Sequence, residues 1–411
     1  MTRAHARVLP LREGKKATEH TLTNGQAKLL GDSRLVDISP AAGDNRWQVR
    51  ARTNSPKVGA VRLGRGADAI ELRIAPKIAV DRVMFLLGYA SEHADWQAEP
   101  VQAAVRDDLL PIVADAFLRG AERALRPGVL FGYRQTEATL PMLRGRLRAA
   151  DQLRRHPGLP LPLEVTYDEH TPDIPENQLL LGAARRLLRL PGLSAATRTG
   201  LRRLVAGLHG VTPPAPGVPP PAWTASRLND RYGPALGLAE LVLRGGSYEL
   251  DDGRRVQVDG LLLDMAKIFE TFLCRTLAEA LRERTGGVTK LDHRKNPRHH
   301  LDTGKRHALW PDLVHYLPGD GPDLRPVLVV DAKYKDKTAS DDLYQMLAYC
   351  LRLGVDTGHL VRVAGAPDTI TIPLGTDEIR VRQHVLDLDA PPHRLRQFVA
   401  ALADELSQTK T

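Results

Sequence analysis

Ala308-Leu-Trp-Pro-Asp312-Leu-Val-His-Tyr-Leu317 and, after a Pro/Gly/Asp-rich interval, Val327-Leu-Val-Val-Asp331-Ala-Lys333 decide how the rest of this chain is read. The first segment has the pattern of a strand, and Leu317–Pro326 that of a turn. The second is a buried strand ending in Asp331-Ala332-Lys333. Strand side chains alternate, so Asp331 and Lys333 project on one face while Ala332 points to the other. A hairpin between the segments returns Asp312 beside them. Two carboxylates and an ammonium at one strand edge form a site for a hard divalent cation, Mg²⁺ or alternatively Mn²⁺, that keeps water in its shell. Such water is made acidic enough to attack a phosphodiester.

The pattern Pro311-Asp312, then 19 positions, then Asp331-x-Lys333 is that of PD-(D/E)xK nucleases. Pro-Asp also occurs at 172–173, 322–323 and 367–368, so the dipeptide alone carries little, and 322–323 falls in the expected turn. The competing reading is a salt-bridged hairpin with an incidental lysine. Downstream, Ser340 is positioned to cap a helix whose first turn holds Asp341 and Asp342. On it Asp342, Gln345 and Tyr349 share one face, while Leu343, Met346, Leu347 and Cys350 pack inward. The Gln345-x3-Tyr349 pair resembles the QxxxY element of RecB-like nucleases. Upstream, Met265, Ile268, Phe269, Phe272 and Leu273 mark a core-facing helix ended by Gly286-Gly287, with Glu270 at the stripe's margin. Glu270 reads as an exposed helix glutamate or as a further metal-site carboxylate. Lys290, Arg294, Lys295, Arg298, Lys305 and Arg306, opposed by Asp292 and Asp302, form a solvated basic loop or a phosphate-contacting strip.

Toward the N-terminus, the alternating stretches 47–52, 58–63 and 70–74 indicate a β-rich region over the first eighty residues, a meander or small barrel. Helical spacing begins at Val80 and recurs over 109–125, along a long helix after Asn177, and at 201–208. Tyr133–Leu140 is strand-like, and Tyr167–Asn177 reads as an acidic, proline-containing loop opening the long helix. Its Asp168, Glu169, Asp173 and Glu176 suit capping and loop ordering better than a second metal site. Val211–Pro221, with six prolines in eleven residues, marks a stiff connector and a domain boundary, after which a helix spans 234–243. The expected organisation is therefore a multidomain α/β protein. It has a β-rich domain (1–80), a mostly helical middle domain (81–222) and a C-terminal restriction-endonuclease-like α/β domain (223–411).

The 411 residues carry 58 Lys and Arg against 49 Asp and Glu, a formal charge of +9 that suits a polyanionic partner. Cys274 and Cys350 are the only cysteines, which excludes four-cysteine zinc or iron–sulfur sites and a disulfide scaffold. No GxxxxGK[ST] occurs, so nucleotide hydrolysis by this chain is not expected, and Gly64-Arg-Gly66 lacks both the third glycine and the following helix of a dinucleotide fingerprint. Without an apolar leader or a membrane-length run, the chain reads as soluble and cytoplasmic.

From about Ile74 onward the sequence resembles the McrC family, the nuclease subunits of McrBC modified-cytosine restriction systems. The resemblance rests on Ile74-Ala-Pro-Lys-Ile78, Leu143-Arg-Gly-Arg146, Tyr167–Asn177, Asp264-Met-Ala-Lys-Ile-Phe-Glu270, Asp331-Ala-Lys-Tyr-Lys335 and Leu343–Tyr349. It implies a DNA endonuclease subunit that docks on, and stimulates, a separate McrB-like AAA+ GTPase ring, with GTP bound by the partner and not by this chain. By the same resemblance Asp312 and Asp331 are metal ligands, with the carbonyl of Ala332 and Glu270 as further ligands. Lys333 orients the attacking water or stabilises the developing charge. Gln345 and Tyr349 support the site or contact DNA, and the helical middle region and Arg144, Arg146 and Arg148 reach toward the ring or DNA. The alternative is a catalytically silent adaptor of the same ring.

Overall fold

The structure, a computed structural model, describes residues 7–52, 55–90, 109–190, 192–215, 218–245, 247–249, 255–257, 259–291, 299–319 and 324–408. Its contacts divide the chain into two compact units, one of Met1–Asp108 with Leu263–Thr411 and one of Leu109–Leu262. This differs from the division drawn at residues 80 and 222. The β-rich start shares a unit with the C-terminal region, and the proline-rich segment lies inside the second unit. There the Thr212 N–H and hydroxyl bond Asp173 at 2.8 and 2.9 Å, and just beyond the segment Trp223 Nε1 donates to Glu240.

In the first unit Ile70, Leu72 and Ile74 are buried on alternate positions of the strand Ile70–Ala75. That strand runs parallel to Arg7–Arg12 and antiparallel to Lys57–Leu63, a parallel pairing that excludes the meander, one of the two expected arrangements. A second sheet orders Thr18–Thr21, Arg46–Ala51 and Val36–Pro40. Between them stands an unexpected helix, Asn24–Ser33. Thr23 and Gln26 form a capping box, and Ala27 and Leu30 supply its buried face.

The C-terminal part of this unit is built on a six-stranded sheet in the order Val288–Leu291, Leu313–Pro318, Leu324–Lys333, Thr357–Arg362, Asp377–Val385, Asp368–Leu374. The pairings of 313–318 with 324–333 and of 368–374 with 377–385 are antiparallel, and those made by 357–362 are parallel. Parallel neighbours need a crossover, and the helix Ser340–Leu353 supplies it between 324–333 and 357–362. Met346, Tyr349, Cys350 and Leu353 pack from that helix onto Val329, Leu360 and Val381. The helix Met265–Thr285 buries Ile268, Phe269, Phe272 and Leu273 and ends at Gly286 in the left-handed conformation.

The second unit packs helices Leu109–Leu125, Pro175–Leu187, Ala195–Gly207 and Gly233–Arg244. It also carries a sheet of Gly132–Leu140, Leu163–Thr171 and Arg146–Leu147. The Tyr167–Asn177 passage is therefore strand as far as Thr171, and the helix starts at Pro175. Two of its acids are tied into the unit: Asp173 accepts from Arg134, Gln178 and Thr212, and Glu176 accepts from Asn229.

Candidate active site

Strand register assembles the site. Leu313 faces Val330 in the antiparallel pair, which brings Asp312, at the entry of one strand, opposite Asp331 near the end of the other. The contact is direct, because Asp312 Oδ2 accepts the backbone N–H of Ala332 at 2.8 Å. Asp331 is 2% exposed, and its Oδ2 lies against the Lys333 ammonium as an ion pair. The lysine also donates to Gln345 Oε1 at 2.9 Å, and Gln345 Nε2 donates to the Tyr349 hydroxyl at 2.7 Å. Asp312, Asp331, Lys333, Gln345 and Tyr349 are thus one connected cluster.

Ser340 is the first helical residue rather than the cap. Asp342, 5% exposed, accepts the Ala339 N–H at 2.9 Å and so closes the helix start from inside the first turn. Asp342 also holds Lys335 at 3.0 Å and lies 3.8 Å from Lys333 Nζ, so it belongs to the cluster electrostatically. The sequence expectation placed it on the right face without assigning it this role.

Glu270 approaches the acids from the helix Met265–Thr285 but is engaged by Lys267 one turn earlier. Its proximity is registered by the buried thiol of Cys274, which is pushed up by burial and then by the charges of Asp312, Glu270 and Asp331. Among the described residues no group of three or more His, Cys, Asp or Glu side chains is arranged to hold a metal ion. Arg294, Lys295 and Arg298, read as a phosphate-contacting strip, lie outside the described residues. Lys305 and Arg306 of the same region are exposed, on a turn organised by Asp302, which accepts the N–H groups of Arg306 and His307 at 3.0 and 2.8 Å.

Burial raises the Asp312 carboxyl well above its ordinary value, and the charges of Asp331 and Glu270 add to this. Asp331 is raised by burial against the opposing pull of Lys333. Burial works against the Lys333 charge, but the carboxylates of Asp331, Asp312 and Asp342 outweigh it and hold the ammonium above the usual lysine value. Two crowded carboxylates, Asp312 on the Ala332 N–H and Asp331 beside it, are a donor set that fits a hard cation such as Mg²⁺, which takes one or two carboxylates and completes its shell with water.

The fold and site therefore define a mixed α/β protein with a buried oxygen-donor centre at the adjoining ends of two interior strands. Residues 53–362 match the family described as McrBC 5-methylcytosine restriction system component, and the chain belongs to that family. No curated protein matches it. Among solved structures it is similar to a chain of the refined half-complex from the tetradecameric assembly of Thermococcus gammatolerans McrB AAA+ hexamers with bound McrC. The identity is 17% and the TM-score 0.51, over 96% of this chain and 100% of that one. A chain of the Thermococcus gammatolerans McrBC complex, seen by cryo-EM, is 20% identical with a TM-score of 0.39, over 67% of this chain and 88% of that one. The first likeness shows a shared fold. Among the described residues no helix is long and apolar enough to cross a membrane.

Proposed function

We propose that this chain is the Mg²⁺-dependent DNA endonuclease subunit of a McrBC-like, modification-dependent restriction system, with a PD-(D/E)xK core in its C-terminal sheet. The observation that carries the reading is the Asp312 carboxylate seated on the Ala332 N–H, against Asp331 and beside Lys333. Asp312 and Asp331 would hold the cation, with the Ala332 carbonyl as a further ligand and Glu270 swinging in from its Lys267 pair. A bound Mg²⁺ supplies Lewis-acid polarisation of the phosphate and a more acidic water. Lys333, kept charged by its carboxylate neighbours, orients the attacking water or offsets the charge that builds on the phosphate. Gln345 fixes the Lys333 side chain through its link to Tyr349. Exposed Lys305 and Arg306, with Arg294, Lys295 and Arg298, would follow the backbone of double-stranded, cytosine-modified DNA.

The chain has no P-loop, so GTP would be bound and hydrolysed by an AAA+ partner ring. Docking on that ring is assigned to the second unit. Tyr133 on its sheet, and Met142 and Leu143 in the connection between the strands Gly132–Leu140 and Arg146–Leu147, are 78%, 68% and 61% exposed, and Arg144 stacks on Tyr167 at 3.9 Å. The decisive test is DNA cleavage with the partner present. Asp331→Ala should fall to background and Lys333→Ala by about 10²–10³-fold, both with GTPase stimulation retained. Cleavage at the wild-type rate by either variant would remove the assignment. The engagement of Glu270 by Lys267 favours one second reading, a silent adaptor of the ring. It predicts GTPase stimulation with no metal-dependent cutting by the wild-type chain.

A further inference from the structure

Tyr334 follows Lys333 directly, and it is where the N-terminal β region meets the candidate site. Its side chain is buried at 8% exposure, and its hydroxyl donates to Glu13 Oε2 at 3.1 Å. The same Glu13 oxygen accepts the backbone N–H of Lys77 at 3.2 Å. The Lys77 ammonium lies 4.3 Å from the centre of the Tyr334 ring and 3.1 Å from Asp336 Oδ1, so one lysine grips the chain on both sides of Lys335. On another side the tyrosine ring packs 6.1 Å from Phe269, the residue before Glu270. A tight turn, Lys335 N–H to Lys333 carbonyl at 2.8 Å, leaves little slack between this anchor and the lysine.

The N-terminal region also fixes the start of the helix that carries Glu270. The Met265 N–H donates to the Pro56 carbonyl at 2.9 Å, and Lys57 pairs with Asp264, the residue capping the Lys267 N–H at 3.1 Å. Two of the three elements that present candidate ligands, the strand of Asp331 and the helix of Glu270, are thus held from the β-rich start of the chain. A support of this kind would set the spacing between the Asp312/Asp331 pair and Glu270.

We propose that Glu13, acting through Tyr334 and Lys77, is a positioning residue for the metal site, so that the N-terminal β region is part of the nuclease body rather than a separate module. This rests on the nuclease reading of the previous subsection. Both donors share one Glu13 oxygen, so the amide carbonyl of Glu13→Gln can accept both bonds, whereas Glu13→Ala can accept neither.

The experiment measures Mn²⁺ binding to the purified full-length chain by electron paramagnetic resonance, below the unfolding range of every variant, alongside the metal dependence of cleavage with the partner present. Glu13→Ala should weaken Mn²⁺ binding and raise the metal needed for half-maximal cleavage, each by about tenfold, the size of effect usual for residues that orient ligands. Tyr334→Phe should shift both in the same direction, and Glu13→Gln should stay within about twofold of wild type. Wild-type Mn²⁺ binding by Glu13→Ala, or equal weakening in Glu13→Ala and Glu13→Gln, would overturn the proposal. Asp331→Ala separates the two readings. If it binds Mn²⁺ like wild type, the metal site itself is wrong and the positioning role goes with it; if it loses Mn²⁺ while Glu13→Ala does not, only the positioning role fails.

Discussion

Asp173 illustrates how a motif residue can be chemically conspicuous and yet structural. It is 6% exposed and accepts from Gln178, from the Thr212 N–H and hydroxyl, and from Arg134. Burial alone would raise its carboxyl, but these donors outweigh burial and hold it below the ordinary 3.8. The folded unit therefore prefers the ionised form. Its contribution is complete above pH 3.8 and is lost as pH falls through the lower folded value. Asp173→Asn should be about 2 kcal/mol less stable than wild type at pH 7. It should also lack that part of the acid-side decline, which urea unfolding at several pH values would reveal. At the candidate site Cys274 offers a comparable probe. Its raised thiol, 4% exposed, should resist alkylation until the chain unfolds, and rapid labelling of the native protein would contradict the packing around the three acids.

At the level of elements, the crossover helix and the strand it leads into are matched to within a methyl group. Every residue of Thr357–Arg362 is buried. A Cβ on Gly358 would stand 2.6 Å from Met346 Cγ and 2.8 Å from Cys350 Sγ. Gly358→Ala should therefore destabilise the fold by about 1–3 kcal/mol, with a matching shift in the urea midpoint. Although Tyr349, read on the opposite face with Gln345, is buried beside Met346 and Cys350, the helix itself was legible from the periodicity of Leu343, Met346, Leu347 and Cys350. Its start was not. Ser340 and Asp342 are both capping residue types, and whether the first turn begins with Ser340 as its cap or with Ala339, whose N–H Asp342 accepts, depends on where the preceding strand delivers the chain. The helix Asn24–Ser33 was missed for a related reason: it is short, and most of its stability comes from the capping box and from packing of Ala27 and Leu30.

Across the whole chain, the grouping of the N-terminal β region with the C-terminal sheet makes a specific demand on truncation. Deletion of residues 7–75 removes Glu13, Lys57 and the Pro56 carbonyl from their partners Tyr334, Asp264 and Met265. The remaining 263–408 portion should lose resistance to proteolysis, and a deletion protein as resistant as full length would show that these contacts are dispensable. The segment 109–262 encloses its own buried residues, and expressed alone it should unfold in one cooperative step by circular dichroism. On the proposed function, Leu143→Asp should weaken association with the AAA+ ring tenfold or more, on the order of a disrupted interface anchor. Mn²⁺ binding should stay unchanged, and sedimentation analysis would separate the two effects.

The sequence by itself determined the local features. Helix periodicity, the Asp331-x-Lys333 alternation and the Gln345-x3-Tyr349 spacing follow from the 3.6- and 2-residue repeats of the backbone, which need no knowledge of distant partners. It also supported the McrC resemblance, because that depends on short contiguous motifs. The rival dipeptide at 322–323 lies outside the described residues. Tertiary structure alone decided that Asp312 seats on the Ala332 N–H, that Glu270 is engaged by Lys267, and that residues near 13 and 77 close around Tyr334. These are contacts between positions up to 321 apart in the chain, and their geometry is set by how sheets and helices pack, which no local repeat encodes.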